Sequence, residues 1–107
     1  MDNKAIPASA GDLDSLIRDN SLVLADFYGE GCAPCALIAP TVDRLAEKYA
    51  GKAVIAKVDV ERELALADRY GIRSIPTVLV FKDGAIIAQE TGPRLDGIYE
   101  DILDANL

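Results

Sequence analysis

The sequence predicts an α/β fold, a central mixed sheet of about five strands flanked by about four helices. Three observations predict it. Short, β-rich apolar runs at 22–28, 53–58 and 77–81 alternate with segments of helical period, in the order β-α-β-α-β-α-β-β-α. These runs are apolar almost continuously rather than at every second residue, as in strands buried on both faces. Lys82-Asp83-Gly84 supplies the Asp-Gly turn of a hairpin, so the run at 85–90 returns antiparallel and makes the sheet mixed.

Each element has a local reason. Residues 4–6 can form a short edge strand that Pro7 cuts off. Ser9 or Asp12 can cap a helix whose Leu13, Leu16 and Ile17 follow the i, i+3, i+4 rule. Beyond the strand at 22–28, a helix sets Leu37, Ile38, Val42, Leu45, Ala46 and Tyr49 on one side, with Gly51 as its C-cap. Pro40 inside that helix deletes a backbone bond and predicts a kink. A short helix is expected over 62–70, before Gly71. The last segment aligns Leu95, Ile98, Tyr99, Ile102 and Leu103 on one helical face.

One hundred and seven residues, half of them hydrophobic, suffice for one core, so a single domain over 1–107 is expected. No repeat, low-complexity segment or Ser/Gly/Pro-rich linker divides the chain. The longest apolar run is far too short to span a bilayer, and no membrane association is expected. The first seven residues show neither a basic region followed by a long apolar run nor a cleavage site, which makes a cytoplasmic location the default. The formal charge of −7 disfavours nucleic acid, whose phosphates require clustered Lys and Arg, and serves solubility.

The chemistry concentrates in one motif. Cys32 and Cys35 are the two cysteines of the chain, in Gly31-Cys32-Ala33-Pro34-Cys35, between an apolar strand and a helix. A helix N-terminus carries about half a positive charge and unpaired amides, so a thiol placed there ionises near neutral pH. Zinc normally takes four ligands from Cys and His, and the chain has no histidine and no second Cys pair. A purely structural bridge would close a very short loop, where chain-entropy stabilisation is smallest. In a reducing compartment such a pair is more often catalytic than structural, so a reversible redox dithiol is the leading reading.

Widely separated segments resemble the thioredoxin family over nearly the whole length. They are Ala25-Asp26-Phe27-Tyr28, Cys32-Ala33-Pro34-Cys35, Ile38-Ala39-Pro40, Val58-Asp59-Val60, the run from Tyr70 to Thr77, Phe81-Lys82-Asp83-Gly84, Gly92, and Asp104-Ala105-Asn106-Leu107. The resemblance implies the thioredoxin fold and a protein-disulfide reductase, an electron carrier without a resident cofactor. NADPH would enter only through a thioredoxin reductase or an equivalent donor, disulfide-containing proteins would be the targets, and the chain would act as a monomer.

Site residues follow from the same resemblance. Cys32 attacks a target disulfide and Cys35 resolves the mixed disulfide. Asp26, whose position in an apolar strand already predicts a raised pKa, accepts the Cys35 proton through water, with Lys57 beside it. Pro34 fits the first turn of a helix and also fixes the geometry between the sulfurs. From residues alone an X-Pro bond is cis in only about 5–6% of cases. The resemblance makes Ile75-Pro76 cis and sets it against the sulfurs, where an extended substrate can pair strand-like. Gly31, Ala33 and Gly92 complete the expected groove.

Departures are equally specific. The family usually has Trp-Cys-Gly-Pro-Cys with a second Trp shortly before it, whereas Gly31, Ala33 and Tyr28 stand here and the chain has no Trp. Ala36 replaces a common lysine. These changes motivate a second reading, a specialised donor with a dedicated partner or a non-standard reductase. A third is a non-catalytic interaction module of the same fold.

Overall fold

The structure, a computed structural model, describes residues 4–107. The first three residues, included in the sequence reading of the N-terminus, lie outside the described residues. The elements are β1 (Ile6–Pro7), α1 (Ala10–Asp19), β2 (Leu22–Tyr28), α2 (Ala33–Lys48), β3 (Val54–Asp59), α3 (Leu64–Arg69), β4 (Thr77–Lys82), β5 (Ala85–Thr91) and α4 (Asp96–Asp104). The strands form one sheet in the order β1-β3-β2-β4-β5. β1, β3 and β2 run parallel, while β4 and β5 pair antiparallel. This is the expected mixed sheet, built from five strands and four helices among the described residues.

Side-chain alternation on β2 sorts two cores. Leu22 and Leu24 join Ile38, Val42 and Leu45 of α2 and Tyr99 and Leu103 of α4 on one face. Val23, Ala25 and Phe27 join Leu13, Leu66, Leu79 and Phe81 on the other, under α1 and α3. There Tyr70 stands edge-on to both Phe27 and Phe81, with ring centres 6.0 and 5.6 Å apart. By the same alternation Asp26 faces α2 and α4, in line with Leu22 and Leu24.

Local chemistry sets the element ends. Ser9 and Asp12 both cap α1, as a reciprocal box: the Ser9 hydroxyl accepts the Asp12 N–H at 3.2 Å and the Asp12 carboxylate accepts the Ser9 N–H at 3.1 Å. β1 is displaced from 4–6 to Ile6–Pro7, which an edge position permits because proline there lacks only a solvent-facing donor. α3 is shorter than 62–70, since the N–H groups of Arg62 and Glu63 turn back to the Asp59 carbonyl. α2 ends at Lys48, three residues before Gly51, with Tyr49 as its cap. The turn between β4 and β5 is Asp83-Gly84, both at positive φ, the geometry that matches strand twist.

Three leucine and isoleucine assignments are corrected. Leu37 is 72% exposed, Leu95 83% and Ile98 42%, although their spacing aligned them with core residues. Leu37 lies on the flank of α2 beside Thr41 and Arg44, which bind α4 rather than the sheet. Leu95 is the residue before α4, and Ile98 turns away from the buried pair Tyr99 and Leu103. Between the helices, Asp96 accepts from the Thr41 hydroxyl at 2.7 Å and from Arg44 at 2.8 Å, Lys48 pairs with Glu100, and the Tyr49 hydroxyl donates to Asp104 at 2.6 Å. The Arg44 and Thr41 bonds hold the Asp96 carboxyl down to about 2.

This orientation of α2 predicts unequal costs for two leucine truncations. Leu45→Ala, in the core, should cost about 2–5 kcal/mol. Leu37→Ala should change stability by less than about 0.5 kcal/mol. Denaturant melts check both, and equal losses would mean that α2 is rotated.

Candidate active site

β2 ends at Tyr28, and Gly29-Glu30-Gly31 carries the chain round to Cys32, the N-cap of α2. Gly31 has φ +75°, a left-handed backbone that glycine adopts freely. Its open side leaves room for a side chain, but any side chain would be strained at that φ. The missing ring at this position is therefore a change of backbone as well as of surface. Ala33 and Pro34 open α2 as its first two residues, both exposed, with proline where a helix start tolerates it.

Cys32 and Cys35 are joined as a disulfide, with Cα atoms 5.2 Å apart. The two sulfurs differ in environment. Cys35 is buried, 4% exposed, whereas Cys32 is half-buried. The Cys35 N–H points at Cys32 Sγ from 3.2 Å, so the α2 N-terminus aims a donor at this sulfur. In the reduced protein that donor and the helix end favour a Cys32 thiolate.

Asp26 lies beneath the pair. Its register partners are Lys57 on β3 and Val78 on β4. Its side chain is 4% exposed and its Oδ1 has no hydrogen-bond partner. Burial pushes the carboxyl from 3.8 up to about 7, and the Lys57 ammonium opposes the rise. Asp26, Lys57, Cys32 and Cys35 all line one cavity of about 250 Å³, which the small residues Gly29, Gly31, Ala36 and Ala39 also border.

Ile75, Pro76 and Gly92, also expected in the groove, do not line this cavity. Ile75-Pro76 is a cis peptide, and the Ile75 carbonyl oxygen is 3.9 Å from Cys32 Sγ. Gly92, at φ +82°, donates its N–H to the Pro76 carbonyl at 2.8 Å and so fastens the loop after β5 to the proline.

Two neighbours were not singled out by the sequence. Gly29 is buried, and a Cβ there would come within 2.8 Å of Ile75 Cδ1, so its lack of a side chain lets Ile75 lean in beside the cysteine loop. A loop glycine gives no sequence sign of such a contact. Tyr99 was read only as core, yet its fully buried hydroxyl shares with Asp26 Oδ1 the lack of a partner among the described residues. Burial raises the Tyr99 hydroxyl above its usual range; the Arg94 backbone opposes this and the Asp26 charge adds to it. Among the described residues no cluster of three or more Cys, Asp or Glu could hold a metal ion, and no helix is long and apolar enough to cross a membrane.

The buried carboxyl makes stability depend on pH. Its folded pKa lies above its unfolded one, so its favourable contribution is complete below about pH 4 and is lost as pH rises through about 7. The loss is on the order of 4 kcal/mol by pH 8. Asp26→Asn should therefore be more stable than the parent at pH 8, with the advantage shrinking towards zero at pH 4. Denaturant melts of the oxidised protein at both pH values check this, and an Asn variant no more stable at pH 8 would show that the carboxylate is solvated or paired.

Comparison with known proteins places this geometry. The family model Thioredoxin matches residues 4–104. Thioredoxin from Chlorobaculum thiosulfatiphilum is 42% identical over 77 residues, covering 72% of this chain and 71% of that one. Thioredoxin C-2 from Corynebacterium nephridii is 44% identical over 85 residues, covering 79% of each. The solved structure of a point mutant of thioredoxin from Halobacterium salinarum superposes with a TM-score of 0.90 at 34% identity, over 98% of this chain and 92% of that one. A redox-spaced cysteine pair at the head of α2, on this sheet and within a family match of this length, has one reading: the chain belongs to the thioredoxin family.

Proposed function

We propose that Cys32 attacks and Cys35 resolves as the chain reduces protein disulfides. As a thioredoxin, the chain is a thiol–disulfide oxidoreductase. The Cys32 thiolate attacks one target sulfur, and the other target sulfur leaves as a thiolate. Cys35, deprotonated, then attacks Cys32 Sγ, the second target thiolate leaves, and the Cys32–Cys35 disulfide forms. Two electrons pass to the target, and its two thiolates take up protons. The observation that carries this order is the asymmetry of the pair, with the helix-end donor on the more accessible Cys32 and a buried Cys35.

Asp26 is proposed to take the Cys35 proton through water in the cavity they share. A carboxyl near 7 matches that task, because a base works best when its pKa lies near the operating pH. Lys57 keeps this pKa from rising further. On the groove side Ile75, Pro76 and Gly92, with Gly31, Ala33 and Pro34 at its rim, receive an extended target segment. The redox group is the disulfide itself, so no resident cofactor is proposed. A thioredoxin reductase or equivalent donor recharges it, and NADPH serves only that donor. A single domain working as a monomer in the cytoplasm completes the reading.

A second reading, a specialised donor with its own reductase, is favoured by one observation. The left-handed backbone at Gly31 excludes an unstrained tryptophan beside the sulfur, so the surface presented to a reductase differs in shape. Turnover with NADPH and a standard thioredoxin reductase supports the first reading, and its absence beside normal dithiothreitol-driven insulin reduction supports the second.

Two variants test the chemistry. Cys35→Ser should accumulate mixed disulfides with target proteins on non-reducing gels, whereas Cys32→Ser should not; equal trapping would overturn the order of attack. Asp26→Asn should slow reduction about 10²–10⁴-fold at pH 7 if proton removal limits the rate. An unchanged pH–rate profile would remove the base from the mechanism.

A further inference from the structure

We propose that the Tyr99 hydroxyl of α4 is a positioning group for Asp26: its O–H dipole stabilises the ionised carboxylate and so keeps it ready to take the Cys35 proton. The proposal rests on the reading of Asp26 as the base and adds the residue that tunes it.

Two buried side-chain atoms among the described residues lack a hydrogen-bond partner, Asp26 Oδ1 and the Tyr99 hydroxyl. Their residues are 4% and 0% exposed. They also lie on one side of the sheet. Tyr99 belongs to the buried cluster that holds Leu24, Val42 and Val78. Leu24 stands two residues before Asp26 on β2 and so shares its face. Val78 is the register partner of Asp26 on β4, and side chains directly opposite in an antiparallel pair sit on the same face. Val42 of α2 lines the same cavity as Asp26. Asp26 is thus flanked along its strand, across the sheet and from α2 by members of the Tyr99 cluster. The charge of Asp26 is felt at the Tyr99 hydroxyl and raises it.

Packing alone calls for no hydroxyl at this position. Phenylalanine would fill the same space without leaving a buried polar atom to satisfy. Tyr49, the other tyrosine of the cluster, spends its hydroxyl on Asp104 at 2.6 Å, whereas that of Tyr99 stays in the interior. The two partnerless atoms are chemically complementary. An ionised carboxylate only accepts hydrogen bonds, and a neutral phenol can donate one. Burial and the Asp26 charge both keep the phenol neutral. The Arg94 main chain acts in the opposite sense, as an N–H turned to the hydroxyl oxygen does, which leaves the O–H proton for the carboxylate. No other group around the pair supplies this donor. Lys57 on β3 lowers Asp26 without bonding Oδ1. Tyr28, Glu30, Cys32, Cys35 and Asp43 complete the titratable groups that line the cavity with Asp26. Beside Tyr99, Glu90 and Arg94 are paired with each other at 3.0 Å.

The experiment titrates the Asp26 carboxyl carbon by NMR in the oxidised protein, in wild type and in Tyr99→Phe. Loss of the hydroxyl should weaken Asp26 ionisation about tenfold, the size of one hydrogen bond to a charged group, and move its midpoint upward. The pH–rate profile of insulin reduction should move upward with it. A Tyr99→Phe variant that is merely less stable, with the Asp26 midpoint unchanged, would overturn the proposal. A second measurement needs no variant at position 99. In wild type the hydroxyl-bearing ring carbon of Tyr99 should show a step at the Asp26 midpoint, and Asp26→Asn should abolish it; no step in wild type would also overturn the proposal. A raised Asp26 midpoint in Tyr99→Phe beside an unmoved pH–rate profile would instead remove Asp26 as the base and leave the tie to Tyr99 standing.

Discussion

Strand β2 is the constraint on which the rest depends. It is central in the sheet, paired to β3 on one side and β4 on the other, and six of its seven residues are buried. Burial on both faces forbids a slip in register, since a one-residue shift would exchange the two cores and turn Asp26 away from α2. The register instead fixes Asp26 opposite Lys57 and Val78, and the strand end delivers Gly31 and Cys32 to the head of α2. Charge, sulfur and helix end are thus brought together by ordinary strand packing.

That arrangement sets stability against chemistry at a single residue. Period-two alternation aims the Asp26 carboxyl into a face otherwise occupied by Leu22 and Leu24. Its Oδ1 has no partner there, which is costly for a buried polar atom. The half-buried ammonium of Lys57 relieves part of the cost without making an ion pair within bonding distance among the described residues. The outcome is a carboxyl near 7 that is neutral in acidic solution and charged in mildly alkaline solution. A fully paired aspartate would stabilise the fold better and would be a poorer proton acceptor.

Much of this was legible in the sequence because the strong signals are local. The apolar run at 22–28, the Asp-Gly turn and the cysteine spacing each determine structure within a few residues, and the structure reproduces them closely. The resemblance supplied what local signals cannot, above all the cis bond at Ile75-Pro76 and the pairing of Asp26 with Lys57. What stayed illegible depends on contacts between elements. Leu37, Leu95 and Ile98 have core spacing, but which side of a helix meets the sheet is decided by the partner helix, here through Thr41, Arg44 and Asp96. The space that Gly29 leaves for Ile75 joins residues 46 apart, and no pattern within either segment announces it.

The loss of tryptophan is best understood through backbone before surface. At φ +75° Gly31 lets the chain turn from β2 into α2 by a left-handed step, and Gly29 beside it leaves room for Ile75 to lean towards the cysteine loop. Small residues at 29, 31, 36 and 39 border the cavity that Asp26 and Lys57 line. The same smallness strips the usual aromatic anchor from that side of Cys32, and aromatic side chains commonly dominate recognition energy. On α2 itself, Thr41 and Arg44 are occupied in holding Asp96 at the start of α4.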